Sequence, residues 1–340
     1  MADTPQLLSS VTGALPQFFR GSVVRTMNRR SVLLRVLMIK PGAGKNVAWD
    51  IERDGMIAET FSDGDDVSNF GSDATDGVSL NWGSVRSNFR LGDIAAAAAA
   101  SSSQNELADL LGNNFRNAAA KLASLINGQL YSGTATPQMI GLDTALKDDN
   151  TYAGIDRTQI ANASWRANVM DSAGAALTLQ QVRQDITVTI YKACGEQPDI
   201  ALCSPEIFLK LGQLFEESRR RTDPVREITT ARGKVILDGS IGAIEFEGCV
   251  FFKDKDATAS SIYYVNSDYV EIQYLPQPVR NKMALPEMDQ AANDGYGDIP
   301  LGMRCKVLGT SGASNKLTCQ TILQLVVKKP NACGRRYNIG

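Results

Sequence analysis

The chain has 340 residues, of which 43% are hydrophobic and 21% are charged, and its net charge at pH 7 is -2. These proportions exclude a wholly disordered chain, and the length exceeds what one compact core usually spans. The chain contains no histidine. Histidine-based catalytic triads and histidine-bearing zinc sites are therefore excluded, and the near-neutral charge argues against a protein that grips nucleic acid through a basic face.

Charge is unevenly distributed along the first 76 residues. Residues 1–49 contain seven basic residues and one acidic residue, a balance of +6, whereas residues 50–76 contain nine acidic residues and one arginine, a balance of -8. Segments of opposite sign attract each other. We therefore expect these two segments to contact each other, either within one chain or between copies of it.

The first 92 residues contain short apolar runs separated by polar stretches. Their pattern predicts a strand at Val32–Ile39 and a long two-stranded excursion with legs at Val47–Ala58 and Val78–Leu91, closed by an acidic tip. A two-stranded ribbon alone is marginal in water because it has no partner on which to bury a face. We therefore expect residues 1–92 to gain order only by packing across neighbouring copies.

A long amphipathic helix is predicted after the alanine-rich joint at residues 95–100. Ser103 and Glu106 form a capping-box pattern, and apolar residues then recur at helical spacing from Leu107 to Leu130. No run of about 18 apolar residues occurs anywhere, so no segment is predicted to span a bilayer.

From about Met139 onward, the signals are those of a compact domain that mixes helices and strands. Thr178 and Gln181 form a second capping box, and Gly195 marks the end of that helix. Ser204 and Pro205 begin a further helix. Strands are predicted at Asp199–Cys203, Val235–Leu237, Ala243–Phe252, Ile262–Val265 and Tyr269–Tyr274.

The six cysteines show no metal-site spacing, and we interpret them as buried thiols in a reducing compartment. Alternating apolar residues around Cys305 and Cys319 predict a closing hairpin centred on Gly312. In that register Cys305 lies opposite Cys319 on the inward face. We expect contact between the two thiols rather than a disulfide.

Two short motifs resemble functional sites without their required residues. The run Pro41–Asn46 resembles a phosphate-binding loop, but that motif needs glycine where Ile39 stands and Ser or Thr where Asn46 stands. The tip Asp63–Asp66 begins like a calcium loop, but the pattern fails at Val67 and lacks the closing glutamate. We interpret the first as a turn between strands and the second as a solvated hairpin tip.

Carboxylates and arginines cluster near residue 220. Glu216 and Glu217 are neighbours on a helix, so they diverge and cannot face each other across a cleft. The arginines after them could contact nucleic acid or pair with carboxylates across a subunit contact; the few nearby aromatics favour the second interpretation. We predict no catalytic residue, no metal site and no cofactor. The predicted inter-subunit contact residues are Arg20, Arg25, Arg29, Arg30, Asp63, Asp65, Asp66, Asp73, Asp76, Arg219, Arg220, Arg221 and Arg226.

Several stretches together resemble one family. These are Gly141-Leu142 after the long helix, the run Tyr152–Arg157, Trp165, and the order of strand-like segments between Gly239 and Pro278. In this order they resemble the major capsid proteins of tailed bacteriophages with the Hong Kong 97 (HK-97) type fold, an α+β fold. The resemblance covers residues 31–340.

The resemblance implies four parts and a structural role. The parts are an N-terminal arm (1–39), an extended β-hairpin loop (40–92), a peripheral domain with a spine helix (93–138 and 279–340) and an axial domain (139–278). The implied function is self-assembly into hexamers and pentamers of an icosahedral head around double-stranded DNA, without enzymatic activity. In that family the arm and loop lie over neighbouring subunits.

The resemblance also implies partners and a location. We expect the chain to bind copies of itself, a separate scaffolding protein, a portal and possibly a cement protein, and to bind DNA without sequence specificity. It is expected in the virion capsid after assembly in the bacterial host cytoplasm, not at a membrane. No lysine occurs between Asn46 and Ala120, so the loop cross-link of some members is not expected, and neither is cleavage of the short arm.

Three alternatives remain open. A DNA-binding protein would bind naked DNA with a steep salt dependence. An encapsulin, which is a bacterial compartment of the same fold, would enclose an enzyme instead of DNA. A carboxylate-based hydrolase with an added oligomerisation arm would show a deep pocket lined by acids.

Overall fold

A computed structural model of the chain describes residues 31–52, 58–63, 66, 70, 75–92, 101, 104–217, 227–230, 233–236, 243–276, 304–310 and 314–340. The helices are α1 Val32–Val36, α2 Gln104–Ser132, α3 Leu142–Ala145, α4 Leu179–Gln184, α5 Tyr191–Cys194 and α6 Pro205–Glu217. A π-helical turn, Asp185–Ile190, joins α4 to α5, and 3-10 turns occur at Ile160–Trp165 and Pro330–Ala332. Among the described residues, none of these helices combines the length and apolar character needed to cross a lipid bilayer.

The strands run from β1 to β17 in chain order and form two larger sheets and three hairpins. They are β1 Met38–Pro41, β2 Asn46–Glu52, β3 Thr75–Asn81, β4 Gly83–Gly92, β5 Thr151–Tyr152, β6 Ile155–Asp156, β7 Asn168–Asp171, β8 Ile200–Cys203, β9 Glu227–Thr230, β10 Gly233–Ile236, β11 Ala243–Phe246, β12 Cys249–Lys253, β13 Ile262–Val265, β14 Val270–Tyr274, β15 Arg304–Thr310, β16 Ser314–Val327 and β17 Gly334–Tyr337.

The first sheet is built around β16. On one side β16 pairs with β4 along its first ten residues. On its other side it pairs first with β15, for example at Cys319, and then with β14, for example at Leu323. β1 extends the sheet by parallel pairing with β14. The inner face of β16 packs into one core with Leu122, Ile126 and Leu130 of α2, all fully buried at a spacing of four residues. Each such side chain stabilises the fold by about 2 kcal/mol. The long amphipathic helix predicted from the sequence is thus confirmed.

The second sheet has the order β11-β12-β8-β13-β17-β7, and the α4–α5 helix and α6 pack on it through a second core. The local helix signals are confirmed here. The Thr178 and Gln181 side chains form a capping box, and Gly195 ends α5 with a left-handed φ of 78°. The predicted segment Ala243–Phe252 is a hairpin, β11 and β12, because Glu247 and Gly248 both adopt positive φ at its turn.

The prediction of a strand at Val32–Ile39 is wrong. The Ser31 hydroxyl accepts a hydrogen bond from the Leu34 amide and caps the short helix α1, and strand β1 begins only at Met38. Leu33, Leu34 and Leu37 are fully buried. An apolar run that is buried on all sides has no periodicity to separate helix from strand, so the pattern alone did not identify this helix.

The hairpin prediction holds for β2 and β3, which pair antiparallel, but its second leg divides at Trp82. β4 leaves the hairpin and joins β16. Val47, Ile51, Val78 and Leu80 are buried on one face of the hairpin, three of them in the core of the same chain.

The expectation that residues 1–92 order only across neighbouring copies is therefore wrong for residues 31–52 and 75–92. These residues bury apolar side chains on the body of their own chain, which supplies the partner surface that an isolated ribbon lacks. Residues 1–30 lie outside the described residues, so the expectation is untested there.

The closing hairpin has the predicted register, with Cys305 directly opposite Cys319. Cys319 is disulfide-bonded, so the expectation of an unbonded contact is wrong. Directly opposite residues of antiparallel strands have Cα atoms about 4.5 to 5.5 Å apart, which is the separation that a disulfide requires. Cys194, Cys203, Cys249 and Cys333 are free thiols, and all but Cys194 are buried.

Candidate assembly surfaces

The excursion between β2 and β3 exposes both acids and aromatic rings. The side chains of Asp63 and Asp66 are exposed, and Phe61 and Phe70 are 82% and 81% exposed. Large exposed apolar side chains are candidates for contact with a partner where they form one patch. This surface is the strongest candidate contact that the sequence analysis singled out.

Of the other predicted contact residues, the structure describes Asp76. Asp76 is half-buried on β3, opposite Ile51 in the hairpin register. The remaining predicted contact residues lie outside the described residues, and their role stays a prediction. They are Arg20, Arg25, Arg29, Arg30, Asp65, Asp73, Arg219, Arg220, Arg221 and Arg226.

Further apolar side chains are exposed at positions that the sequence analysis did not assign to contacts. Ile160 is 90% exposed and Leu209 is 65% exposed. Leu125 is 46% exposed, although its spacing had assigned it to the inner face of α2. Val188 and Tyr191 are both exposed one helical turn apart, so they lie on one side of the helix. Leu209 does not share the helical spacing of the buried side chains of α6, so its exposure could have been predicted from the sequence.

A buried ion pair fixes the helix that carries Val188 and Tyr191. Arg336 on β17 donates from Nε and Nη2 to the two carboxylate oxygens of Asp185, at 2.6 and 2.5 Å. The Tyr264 hydroxyl donates to the same carboxylate at 3.1 Å. The bonds to Asp185 raise the pKa of the Arg336 guanidinium, which stays charged. The pair ties the π-helical turn to the second sheet.

A second buried cluster holds the position where α1 begins. The Ser31 hydroxyl donates to Asn127 Oδ1 at 2.5 Å, and Asn127 Nδ2 donates to Asp254 at 2.8 Å and to Asp256 at 2.7 Å. The Val32 amide also donates to Asp254 at 3.4 Å. Burial raises the pKa of the Asp254 carboxyl. The cluster links α1 to the long helix α2 and to the loop after β12.

The run Tyr152–Arg157 has an architectural role. Arg157 is fully buried, donates from Nη1 to the backbone carbonyls of Ala145 and Lys147 at 2.8 and 2.7 Å, and lies 4.6 Å from the centre of the Tyr152 ring. Burial lowers its pKa to about 10. The Tyr152 hydroxyl accepts from the Val327 amide at 2.9 Å. These contacts join the turn that follows α3 to strand β16.

A charged cluster joins β1 and β14 at the edge of the first sheet. Glu271 is buried and contacts Lys40 at 2.9 Å and Lys328 at 3.0 Å. Burial alone would raise the pKa of this carboxyl, but the bonds from Lys40, Gln273 and Lys328 together lower it.

A cleft and the arrangement of possible metal ligands bear on whether the chain holds a chemical site. A cleft of about 310 Å³ lies between β3, the loop after α2 and the β5–β6 turn, and no titratable side chain lines it. In the part of the chain that the structure describes, no group of three or more carboxylates or thiols is placed to hold a metal ion. The turn Pro41–Asn46 joins β1 to β2, with the Trp82 indole donating to the Gly44 carbonyl at 3.2 Å.

Comparison with solved structures shows the fold. The capsid asymmetric unit of cyanophage A-1(L) has a TM-score of 0.64 at 18% identity, over 90% of this chain and 91% of that one. The capsid of a native GTA particle has a TM-score of 0.55 at 11% identity, over 91% and 90%. The SrpI encapsulin from Synechococcus elongatus has a TM-score of 0.52 at 13% identity, over 90% and 86%. The chain thus has the α+β capsid fold of the Hong Kong 97 type.

Comparison with protein families identifies the chain. A search of curated protein sequences finds no match. The family model for the SU10 major capsid protein matches residues 45–296, which is well over half of the 340 residues. The match includes the β2–β3 hairpin, the long helix α2, two of the five strands of the first sheet and five of the six strands of the second. The chain belongs to the SU10 major capsid protein family.

Proposed function

We propose that this capsid protein assembles into the hexamers and pentamers of an icosahedral phage head that encloses double-stranded DNA. The observation that carries the proposal is the family match over residues 45–296, supported by a capsid fold that covers 90% of the chain. Such a shell needs no single strong contact, because interfaces of about 1,600 Å² shared with several neighbours suffice for closure.

The proposed layout has an N-terminal arm at 1–39, an extended loop at 40–92, a peripheral domain at 93–138 with 279–340, and an axial domain at 139–278. The exposed acids and aromatic rings of the excursion support its role as a contact with other copies. The core contacts of β2, β3 and β4 with their own chain support the view that the excursion projects from an anchored base.

The proposed partners are further copies of the chain, a separate scaffolding protein, a portal and possibly a cement protein. The proposed location is the virion capsid, after assembly in the bacterial host cytoplasm. The capsid family indicates a structural role. That the chain catalyses no reaction stays a prediction.

An encapsulin-type compartment is the second candidate, because the SrpI encapsulin has the same fold at a TM-score of 0.52. The phage head is favoured by the family match and by the higher TM-score of the cyanophage capsid, 0.64. The hydrolase alternative gains no support, since the cleft described above carries no carboxylate.

Electron microscopy of the purified full-length chain tests the proposal, together with analysis of the particle contents after nuclease treatment. We expect closed icosahedral particles that protect double-stranded DNA when they are purified from infected cells. Particles filled with one folded enzyme would identify a compartment instead. A chain that stays a monomer at every concentration and salt condition would refute both.

A further inference from the structure

The first sheet contains a disulfide, although most cysteines of the chain are free thiols. The chain has six cysteines, and Cys319 is disulfide-bonded. The free thiols are Cys194, Cys203, Cys249 and Cys333. By elimination the partner of Cys319 is Cys305, which lies directly opposite it in the register of β15 and β16. The bond therefore joins the two strands of the closing hairpin.

The bond lies where three strands of the first sheet run side by side. On one side of β16 the residue opposite Cys319 is Cys305 of β15, and on the other side it is Ser87 of β4. Among the strands that the structure describes, β15 ends its sheet and pairs with β16 alone. The bond thus adds a covalent link to a strand that is otherwise held in the sheet from one side.

Burial protects this bond from reagents in solution. Cys319 is 3% exposed and belongs to the core that β16 shares with α2. Thiol–disulfide exchange requires direct attack on a sulfur atom, so a reagent reaches this pair only when β15 moves away from β16. Because β15 ends its sheet, this opening leaves the pairing of β16 with β4 and β14 in place. Once formed, the bond should therefore resist mild reductants.

The proposed function takes the chain through two redox environments. Assembly in the bacterial cytoplasm exposes the chain to glutathione and thioredoxin, which keep thiols reduced. A released phage head is outside the cell, where disulfides form and persist. The backbone register holds the two cysteines at a separation that suits a disulfide, so the bond needs no rearrangement of the sheet.

We propose that Cys305 and Cys319 form a redox switch, which is a dithiol while the chain assembles in the host and a disulfide in the released head. The inference rests on the proposed function, because that function moves the chain from the cytoplasm to the outside of the cell. In the disulfide state β15 is locked onto β16, and the first sheet can no longer open at this end.

The oxidant is a low-molecular-weight disulfide in the medium. The thiolate of one cysteine attacks this disulfide, forms a mixed disulfide with one half of it and releases the other half as a thiol. The thiolate of the second cysteine then attacks the cysteine sulfur of the mixed disulfide and releases the remaining half. Two cysteine thiols are oxidised, one small disulfide is reduced to two thiols, and the two cysteine protons pass to those thiols.

Counting free thiols tests when the bond forms. Cells that produce the full-length chain are lysed directly into denaturant with N-ethylmaleimide, and labels are counted by mass spectrometry before and after the purified chain is incubated with oxidised glutathione. We expect six labels per chain in the cells and four after oxidation, with the two missing labels at Cys305 and Cys319. Four labels in the cells would overturn the switch, because the bond would then form in the reducing cytoplasm. Six labels after oxidation, or missing labels at other cysteines, would overturn the pairing.

A stability measurement tests whether the bond locks the sheet. For a closed loop of about 15 residues, oxidised glutathione should raise the urea midpoint of the unassembled chain by about 1 M over the chain reduced with dithiothreitol. Cys305→Ser should abolish this difference, whereas the matched control Cys194→Ser, which removes a free thiol elsewhere, should keep it. Equal midpoints in the two states, or a difference that survives Cys305→Ser, would overturn the lock. Because the chain is unassembled, these results do not depend on whether a shell forms.

Discussion

Removing the guanidinium of Arg336 should destabilise the unassembled chain by about 3 to 5 kcal/mol, because it strands a buried charge. Asp185 is only 1% exposed, and Arg336→Met would leave it with the Tyr264 hydroxyl as its remaining side-chain partner. Two charge-assisted bonds would be lost at this carboxylate. With a urea m-value of about 3 kcal/mol/M, the unfolding midpoint should fall by about 1 M or more.

The double variant Asp185→Leu/Arg336→Met provides the decisive comparison. Replacing a whole buried ion pair with apolar residues of similar volume is often close to neutral, so the double variant should be far more stable than either single variant. The assay is urea unfolding of dilute, unassembled chains, followed by circular dichroism. If the two single losses simply add in the double variant, the stabilisation does not arise from this pair and the reasoning is refuted.

Three further changes test the other contacts by urea unfolding across a pH series. Glu271→Gln should lower the free energy of unfolding by about 1 kcal/mol at neutral pH. Because the pKa of this carboxyl is lowered in the folded chain, the difference in stability from wild type should shrink as the pH falls below about 4.5. A difference that stays constant with pH would contradict this. Asp254→Asn should show the opposite pH dependence. The pKa of the Asp254 carboxyl is raised in the folded chain, so its protonated form contributes stability that is fully present below about pH 3.8 and is lost as the pH rises through the folded pKa. The loss of stability caused by the substitution should therefore grow as the pH falls. Tyr152→Phe leaves the buried Val327 amide unpaired and should cost about 1 to 3 kcal/mol without changing the m-value; a neutral effect would mean that water replaces the hydroxyl.

Local sequence signals predicted the elements that depend on neighbouring residues. The capping box at Thr178 and Gln181, the stop at Gly195 and the helix that begins at Pro205 each involve residues within one helical turn, and all are confirmed. The opposed positions of Cys305 and Cys319 were predictable because a hairpin fixes its own register.

Features that join distant segments were not predictable from pattern. The apolar and polar residues of β4 alternate as they would in the second strand of the predicted hairpin. β4 instead pairs with β16, more than 200 residues later in the chain, and no local pattern predicts this. The Asp185–Arg336 pair joins residues 151 positions apart and leaves no local signature. The exposure of Asp63 and Asp66 could be predicted from charge alone, whereas the place of Arg86 and Arg90 in the first sheet became visible only once β4 was seen to pair with β16.

The order in which the chain is made has a consequence for folding during synthesis. β16 and β17 leave the ribosome after every other described strand, yet β16 is the centre of the first sheet and β17 lies between β13 and β7 in the second. A nascent chain that stops before residue 314 therefore has neither sheet complete. A chain that stops there lacks the central strand of the first sheet and one inner strand of the second, so both sheets can close only after residues 314–337 have been made.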